Sequence, residues 1–140
     1  MWNTTELTEF ATNWFQLLSD RAPAETLKAM LVPEGLEMVF PDATIHNYED
    51  FDNWYRAVGE NVDSQQHILE SLEVTRGDDA GADLSIIVIW KARQLADGRD
   101  VAFRATQAWS LVRTAEGAGP IIKTYRVLTL DPLESEAATS

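Results

Sequence analysis

The second half of the chain consists of segments with strand character, and this feature constrains the fold most. The segments are rich in Ile, Val and aromatic residues and are separated by turn-forming residues. Asp97-Gly98 stands between the second and third segments and is a strong signal for a two-residue hairpin turn. Consecutive strands with short turns predict an antiparallel sheet, whose strands are expected at 67–75, 84–95, 101–113 and 121–130.

The first half has helical periodicity instead. Leu7, Trp14 and Leu18 recur at helical spacing, with Asn3 as the candidate N-cap. A third helix is expected to start after Asn47 and to stop at Gly59. Helices are predicted at 3–20, 23–32 and 48–58, with short strands at 36–40 and 44–46. Helices segregated from hairpin-linked strands predict an α+β fold, in which a long curved antiparallel sheet wraps on three N-terminal helices and forms a cone. We expect a single domain over 1–130, with a flexible acidic tail over 131–140.

The Asp97-Gly98 turn also predicts which side chains share a face of the sheet. A two-residue turn places Trp90 opposite Ala105, and Ile86 opposite Trp109. This face is apolar and aromatic, so it should lie under the helices. Gln107 is its polar member, and it either bonds a neighbouring strand or a buried water, or points into a ligand cavity.

The opposite face of the same hairpin is too apolar for a free sheet surface. We expect it to form a homodimer interface, since isologous pairs are the commonest oligomers. The same register sets Lys91 against Arg104, which is unfavourable unless carboxylates lie between them. The interface residues are expected to be Ile87, Ile89, Arg104, Thr106 and Ala108.

The composition argues against several classes of partner and of metal site. The 140 residues include 23 Asp and Glu against 11 Lys and Arg, and the formal net charge is −12. This charge disfavours nucleic acid and anionic membrane surfaces as partners. The sequence has no Cys, which excludes disulfides and thiolate metal sites. We expect a cytoplasmic protein without a signal peptide, a membrane span, a cofactor or a metal site.

Five Trp are unusual for this length. Helical spacing and hairpin register give four of them a common inward direction, which suggests a cavity with aromatic walls, suited to a small apolar or aromatic molecule. The candidate ligand-binding residues are Trp14, Phe40, Trp54, Tyr55, Trp90, Phe103, Gln107, Trp109 and Tyr125.

The order of elements and three local strings resemble the nuclear transport factor 2-like superfamily, which includes ketosteroid isomerase, scytalone dehydratase and polyketide cyclases. The strings are LKAMLVP at 27–33, YEDFDNWY at 48–55 and QHI at 66–68. The resemblance spans 3–130 and implies a cone-shaped, cystatin-like α+β fold. It does not fix one chemistry.

The resemblance carries over functional residues only in part. Phe40 stands where ketosteroid isomerase has its catalytic Asp and where scytalone dehydratase has a Tyr. Asp20 and His67 match the Asp and the first His of scytalone dehydratase, whereas the second His, expected within 90–94, is absent.

Two functions therefore remain open. The chain is either a pocket protein that binds a hydrophobic or aromatic ligand in the cone, or a lyase, isomerase or cyclase for a polyketide-like or steroid-like substrate. In the second case His67 is the acid/base and Asp20 orients it. Each residue also has a structural alternative, because His67 could bond a helix end and Asp20 could be a turn residue.

Overall fold

The computed structural model describes residues 3–41, 43–78, 81–113 and 119–133. These residues form three helices and six strands. The helices are α1 (Thr4–Ser19), α2 (Ala24–Lys28) and α3 (Tyr48–Asn61). The strands are β1 (Glu37–Phe40), β2 (Ala43–Ile45), β3 (Val62–Asp78), β4 (Gly81–Gln94), β5 (Asp100–Val112) and β6 (Ile121–Pro132).

The strands form one curved, unclosed sheet in the order β2-β1-β6-β5-β4-β3. The hairpin-linked strands β3 to β6 are antiparallel, as predicted. The prediction of an entirely antiparallel sheet is wrong at β1, which lies parallel to β6, with Met38 opposite Tyr125. The sheet is therefore mixed, and the α+β class with N-terminal helices is confirmed.

One face of the sheet packs against the helices and carries the core. Leu7, Trp14 and Leu18 of α1 are buried, as their spacing predicts. Asn3 caps this helix, because its side chain accepts hydrogen bonds from the backbone N–H groups of Thr5 and Glu6. The inner face of β4 and β5 contributes a second buried set, which consists of Ala82, Leu84, Ile86, Val88, Ala92, Ala105, Gln107, Trp109 and Leu111.

The β4–β5 hairpin differs from the predicted register by two residues. Trp90 lies opposite Phe103, and Ile86 lies opposite Gln107. The turn is longer than two residues, because Gln94 donates to the Arg99 carbonyl and the four residues 95–98 form the loop. A two-residue slip preserves the face of every side chain, whereas a slip of one would reverse it. The predicted inner face is therefore correct although the pairs are not.

Two helix boundaries differ from the prediction. The second helix ends at Lys28 rather than 32, because Met30 and Val32 exchange backbone hydrogen bonds with Ile122 of β6. The third helix does not stop at Gly59 but continues to Asn61.

The outer face of the sheet carries the predicted dimer residues. Ile87, Ile89 and Ala108 are half-buried within the single chain. Arg104 does not face Lys91, because it lies opposite Ile89 and forms an ion pair with Glu70 of β3 at 2.8 Å. The carboxylate that the sequence argument required thus comes from the same chain.

Strand β6 extends to Pro132, and the Leu133 N–H donates to the Ala102 carbonyl. The remaining tail predicted to be flexible, 134–140, lies outside the described residues, as do Trp2, Asp42 and the predicted loop residues 116–118. In the described part of the chain, no helix is long and apolar enough to cross a membrane.

Candidate functional site

A cavity of about 760 Å³ lies between α3, the end of α1, the β1–β2 hairpin and the inner face of β3 to β6. Its exposed lining residues, such as Arg21 and Asn53, form the rim, and its buried ones, such as Ala105 and Gln107, form the floor. The curvature of the sheet leaves this space, because the helices cover only part of the inner face. The volume falls within the range of small-molecule sites, roughly 300–1,000 Å³.

Aromatic side chains form two walls of the cavity. On one wall Phe40 of β1 stacks on Trp54 of α3, with ring centroids 4.4 Å apart. On the other, Trp90 of β4 is half-buried, and its Nε1 donates to Gln65 Oε1 at 3.1 Å. Gln65 faces inward because a bulge between Asp63 and Gln66, with Ser64 at φ 55°, shifts the pairing of β3. The walls present flat apolar surfaces with few polar atoms.

The floor contains a buried polar cluster. Gln107 Oε1 accepts a hydrogen bond from Trp109 Nε1 at 2.9 Å, which fixes the orientation of the amide. The Gln107 amide and the Trp14 indole N–H both lie near the Tyr125 hydroxyl, although Trp14 Nε1 has no hydrogen bond of good geometry. Burial raises the pKa of Tyr125, and these two donors only partly oppose that effect. The cluster has more N–H and O–H donors than acceptors.

His67 lies on β3 and also lines the cavity. Its Nδ1 is 3.0 Å from Ser19 Oγ at the end of α1, and the same hydroxyl accepts from the His67 backbone N–H at 2.9 Å. The imidazole stacks on Phe15, with centroids 5.8 Å apart. Burial lowers the pKa of His67 from 6.5 to about 4, so the ring is uncharged at neutral pH.

Asp20, the predicted partner of His67, lies elsewhere. It is the C-cap of α1, is exposed, and accepts a hydrogen bond from Gln16 Nε2 at 3.0 Å. It is not among the described residues that line the cavity. The structure brings Ser19, not Asp20, to the imidazole.

The candidate ligand-binding residues separate into two groups. Those that line the cavity are Phe40, Trp54, Tyr55, Trp90, Gln107 and Tyr125. Trp14 and Trp109 are instead buried behind the floor, where they are packed edge to face, and Phe103 stacks on Trp90. Two of the four Trp expected to line the cone, Trp54 and Trp90, therefore do so.

The rim includes residues that the sequence analysis did not assign to the site, chiefly Arg21 and Asn53. The Arg21 guanidinium lies 4.0 Å from the Tyr55 ring centroid, and its Nη1 donates to the Tyr55 carbonyl at 3.1 Å. Tyr55 in turn donates its hydroxyl to the Ala22 carbonyl at 2.6 Å. These reciprocal bonds fasten the turn after α1 to α3. The backbone of Arg21 has a positive φ of 53°. Such a conformation cannot be predicted from the sequence when the residue is not glycine, so nothing in the sequence indicated this arrangement.

In the described residues, no group of three His, Asp or Glu is placed to hold a metal ion. His46 is exposed, and its backbone N–H donates to Asp50 Oδ2 at 3.1 Å.

No protein-family model matches the sequence, and no curated protein is a significant match. Solved structures do match. A nuclear transport factor 2-like superfamily protein from Salmonella enterica is 13% identical, with 97% of this chain and 95% of that chain covered and a TM-score of 0.78.

Two further matching structures are those of an enzyme and of an enzyme subunit. The hexachlorocyclohexane dehydrochlorinase LinA-type3 from Novosphingobium barchaimii is 11% identical, with 94% of this chain and 90% of that chain covered and a TM-score of 0.76. The β subunit of benzoate 1,2-dioxygenase from Burkholderia mallei is 10% identical, with 94% and 92% covered and the same TM-score of 0.76. With the observed order of helices and strands, these likenesses show that the chain has the nuclear transport factor 2-like fold.

Proposed function

We propose that this protein binds a hydrophobic or aromatic small molecule in the cone. The observation that carries the proposal is the cavity of about 760 Å³ between two aromatic walls. Trp54 and Trp90 are only half-buried, whereas Trp14 and Trp109 are fully buried. A planar ligand between the walls would remove this aromatic surface from water, at about 25 cal/mol per Å² of apolar area.

The floor supports a preferred orientation of the ligand. The Gln107 amide and the Tyr125 hydroxyl are donors with few acceptors around them. A ligand oxygen that accepts hydrogen bonds, such as a carbonyl, would complement them, because an unpaired buried donor costs about 1–3 kcal/mol.

A thermal-shift screen with planar aromatic compounds tests the proposal. Two variants that introduce a Phe locate the site, Ala105→Phe in the cavity and Thr12→Phe on the exposed side of α1. Compounds that raise the melting temperature of the wild type should do so equally in Thr12→Phe and fail in Ala105→Phe, where the new ring fills the cavity. Equal ligand shifts in both variants, or none in the wild type, would contradict the proposal.

A catalytic function is the second candidate, favoured by the position of His67. Its imidazole lines the cavity and is held by Ser19. We propose for this case a lyase, isomerase or cyclase step on a polyketide-like or steroid-like substrate, with His67 as acid/base. Turnover should fall roughly 10²–10⁴-fold in His67→Gln. Asp20→Asn should lower turnover if Asp20 orients the ring, and Ser19→Ala should lower it if Ser19 does.

The neighbours are compatible with either function. One is named as a dehydrochlorinase and another as a subunit of a dioxygenase, and a fold shared with them does not select between catalysis and binding.

We also propose that the outer face of the sheet joins two copies of this chain in the cytoplasm. Ile87, Ile89 and Ala108 form its apolar centre, with Thr106 and the Arg104–Glu70 ion pair beside it. A second copy related by a twofold axis would cover this surface with its own equivalent. Sedimentation equilibrium should give a dimer for the wild type and a monomer for Ala108→Glu, and a monomeric wild type at all concentrations would refute the interface.

A further inference from the structure

Arg21 adopts a backbone conformation that its residue type disfavours. It is the first residue past the C-cap of α1 and has a φ of 53°. The hydrogen bonds from Ala22 to Leu17 and from Arg21 to Leu18 form a Schellman motif, in which Gly is the usual residue at this position. An arginine at this position therefore carries a local strain that glycine would avoid. Strained residues of this kind are often found at functional sites.

The Arg21 side chain is held in place at the rim of the cavity. Its guanidinium lies over the Tyr55 ring, and Nη1 bonds the Tyr55 carbonyl. Gly59 of α3 makes room for it, because a Cβ at that position would collide with Nη2 and Cζ of Arg21. Glycine inside a helix is itself unfavourable. Two locally unfavourable choices thus position one guanidinium.

This guanidinium lacks the partner that most arginines here have. Five arginines form ion pairs with carboxylates, and these are Arg76, Arg93, Arg104, Arg113 and Arg126. Within the described residues, no carboxylate lies at ion-pair distance from Arg21, although the sequence has 23 acidic residues. Asp50 also lines the cavity, but it is five residues before Tyr55, the residue that Arg21 contacts, or about 7.5 Å along the axis of α3. Nη1 of Arg21 bonds the Tyr55 carbonyl and Nη2 lies against Gly59, while the side chain as a whole is still exposed at the rim of the cavity.

We propose that Arg21 binds the carboxylate of the ligand, and that the ligand of the cavity is an aromatic carboxylic acid. This inference rests on the proposed binding function and specifies its ligand class. A guanidinium forms charge-assisted hydrogen bonds with a carboxylate, and such bonds would anchor one end of a ring system that lies between Trp54 and Trp90. A single negative charge fits best, because Arg21 is the one arginine or lysine among the described residues that line the cavity, and the chain has a net charge of −12.

Isothermal titration calorimetry with a matched pair of probes tests this assignment. The probes are 2-naphthoate and 2-naphthamide, which share the ring system and differ in charge. They are titrated into the wild type, Arg21→Gln and the control Arg56→Gln. Arg56 is on the exposed side of α3, bonds Asn53 and does not line the cavity, so both variants lose the same charge.

The wild type and Arg56→Gln should bind 2-naphthoate about tenfold more tightly than 2-naphthamide, as expected for a hydrogen-bonded ion pair. Arg21→Gln should lose this preference with its affinity for 2-naphthamide unchanged. Equal affinity of the wild type for both probes, or an equal loss of preference in both variants, overturns the role of Arg21 and leaves the aromatic pocket intact. If neither probe binds at millimolar concentration, the pocket itself is overturned, and this inference with it.

Discussion

Lowering the pH from 7 to 4.5 should destabilise the fold through His67. Burial lowers the pKa of His67 in the folded chain to about 4, whereas the unfolded chain takes up this proton near 6.5. Between these values the unfolded state binds more protons, so the free energy of unfolding falls as the pH falls and becomes level below about pH 4. The full gap is equivalent to about 3 kcal/mol. Because the imidazole borders an open cavity, we expect a loss of about 2 kcal/mol between pH 7 and 4.5.

Urea unfolding from pH 7 to 4.5 measures this loss, and NMR titration of the imidazole C–H signals reports the His67 pKa directly. Most of the loss should vanish in His67→Gln, which cannot take up the proton, and should remain in His46→Gln, which removes an exposed histidine. Hydrogen bonds from Arg93 and Arg104 hold the pKa values of Asp63 and Glu70 below their usual range. The effect of these two carboxylates on stability therefore falls mostly below pH 4.5. A His67 signal that titrates near 6.5, or an unchanged pH slope in His67→Gln, would refute the burial argument.

Three further predictions concern stability measured by urea unfolding. Arg21→Gly should be more stable than Arg21→Ala by about 1 kcal/mol, because only glycine accepts the left-handed conformation without strain, and equal stabilities would contradict the strain. Gly59→Ala should destabilise the wild type but stabilise an Arg21→Ala background by about 1 kcal/mol, since alanine favours the helix once the guanidinium is gone; the same sign in both backgrounds would show that the two residues are not coupled. Gln107→Leu should cost about 1–3 kcal/mol, because it leaves the Trp109 N–H buried without a partner, and a neutral effect would show that the bond is dispensable.

The fold could be predicted from the sequence because its strongest signals are periodic. The burial of Leu7, Trp14 and Leu18 could be predicted from helical spacing alone. The inner face of β4 and β5 could be predicted from the alternation of side chains along a strand. The Asp97-Gly98 signal placed the turn correctly but not its length. The parallel pairing of β1 with β6 joins residues about 87 positions apart, such as Met38 and Tyr125, and nothing local encodes it.

The candidate site was predicted only in part, for a different reason. Inward direction does not distinguish a cavity wall from the core, so Trp54 and Trp109 were given the same role although only Trp54 lines the cavity. The position of Asp20 depends on where α1 ends. Asp20 is the C-cap of α1, and its carboxylate is bonded to Gln16 on the exposed side of the helix. Ser19, the preceding residue, is the one that contacts His67.

The most direct test of the aromatic pocket follows the indole N–H signals of ¹⁵N-labelled protein during a titration with 2-naphthamide. Trp54 and Trp90 line the cavity, and the Trp90 N–H is bonded to Gln65 within it. We predict that both signals shift saturably in the wild type, and that neither shifts in Ala105→Phe. Saturable binding that leaves both signals unmoved, or shifts that persist in Ala105→Phe, would contradict a ligand site in the cone.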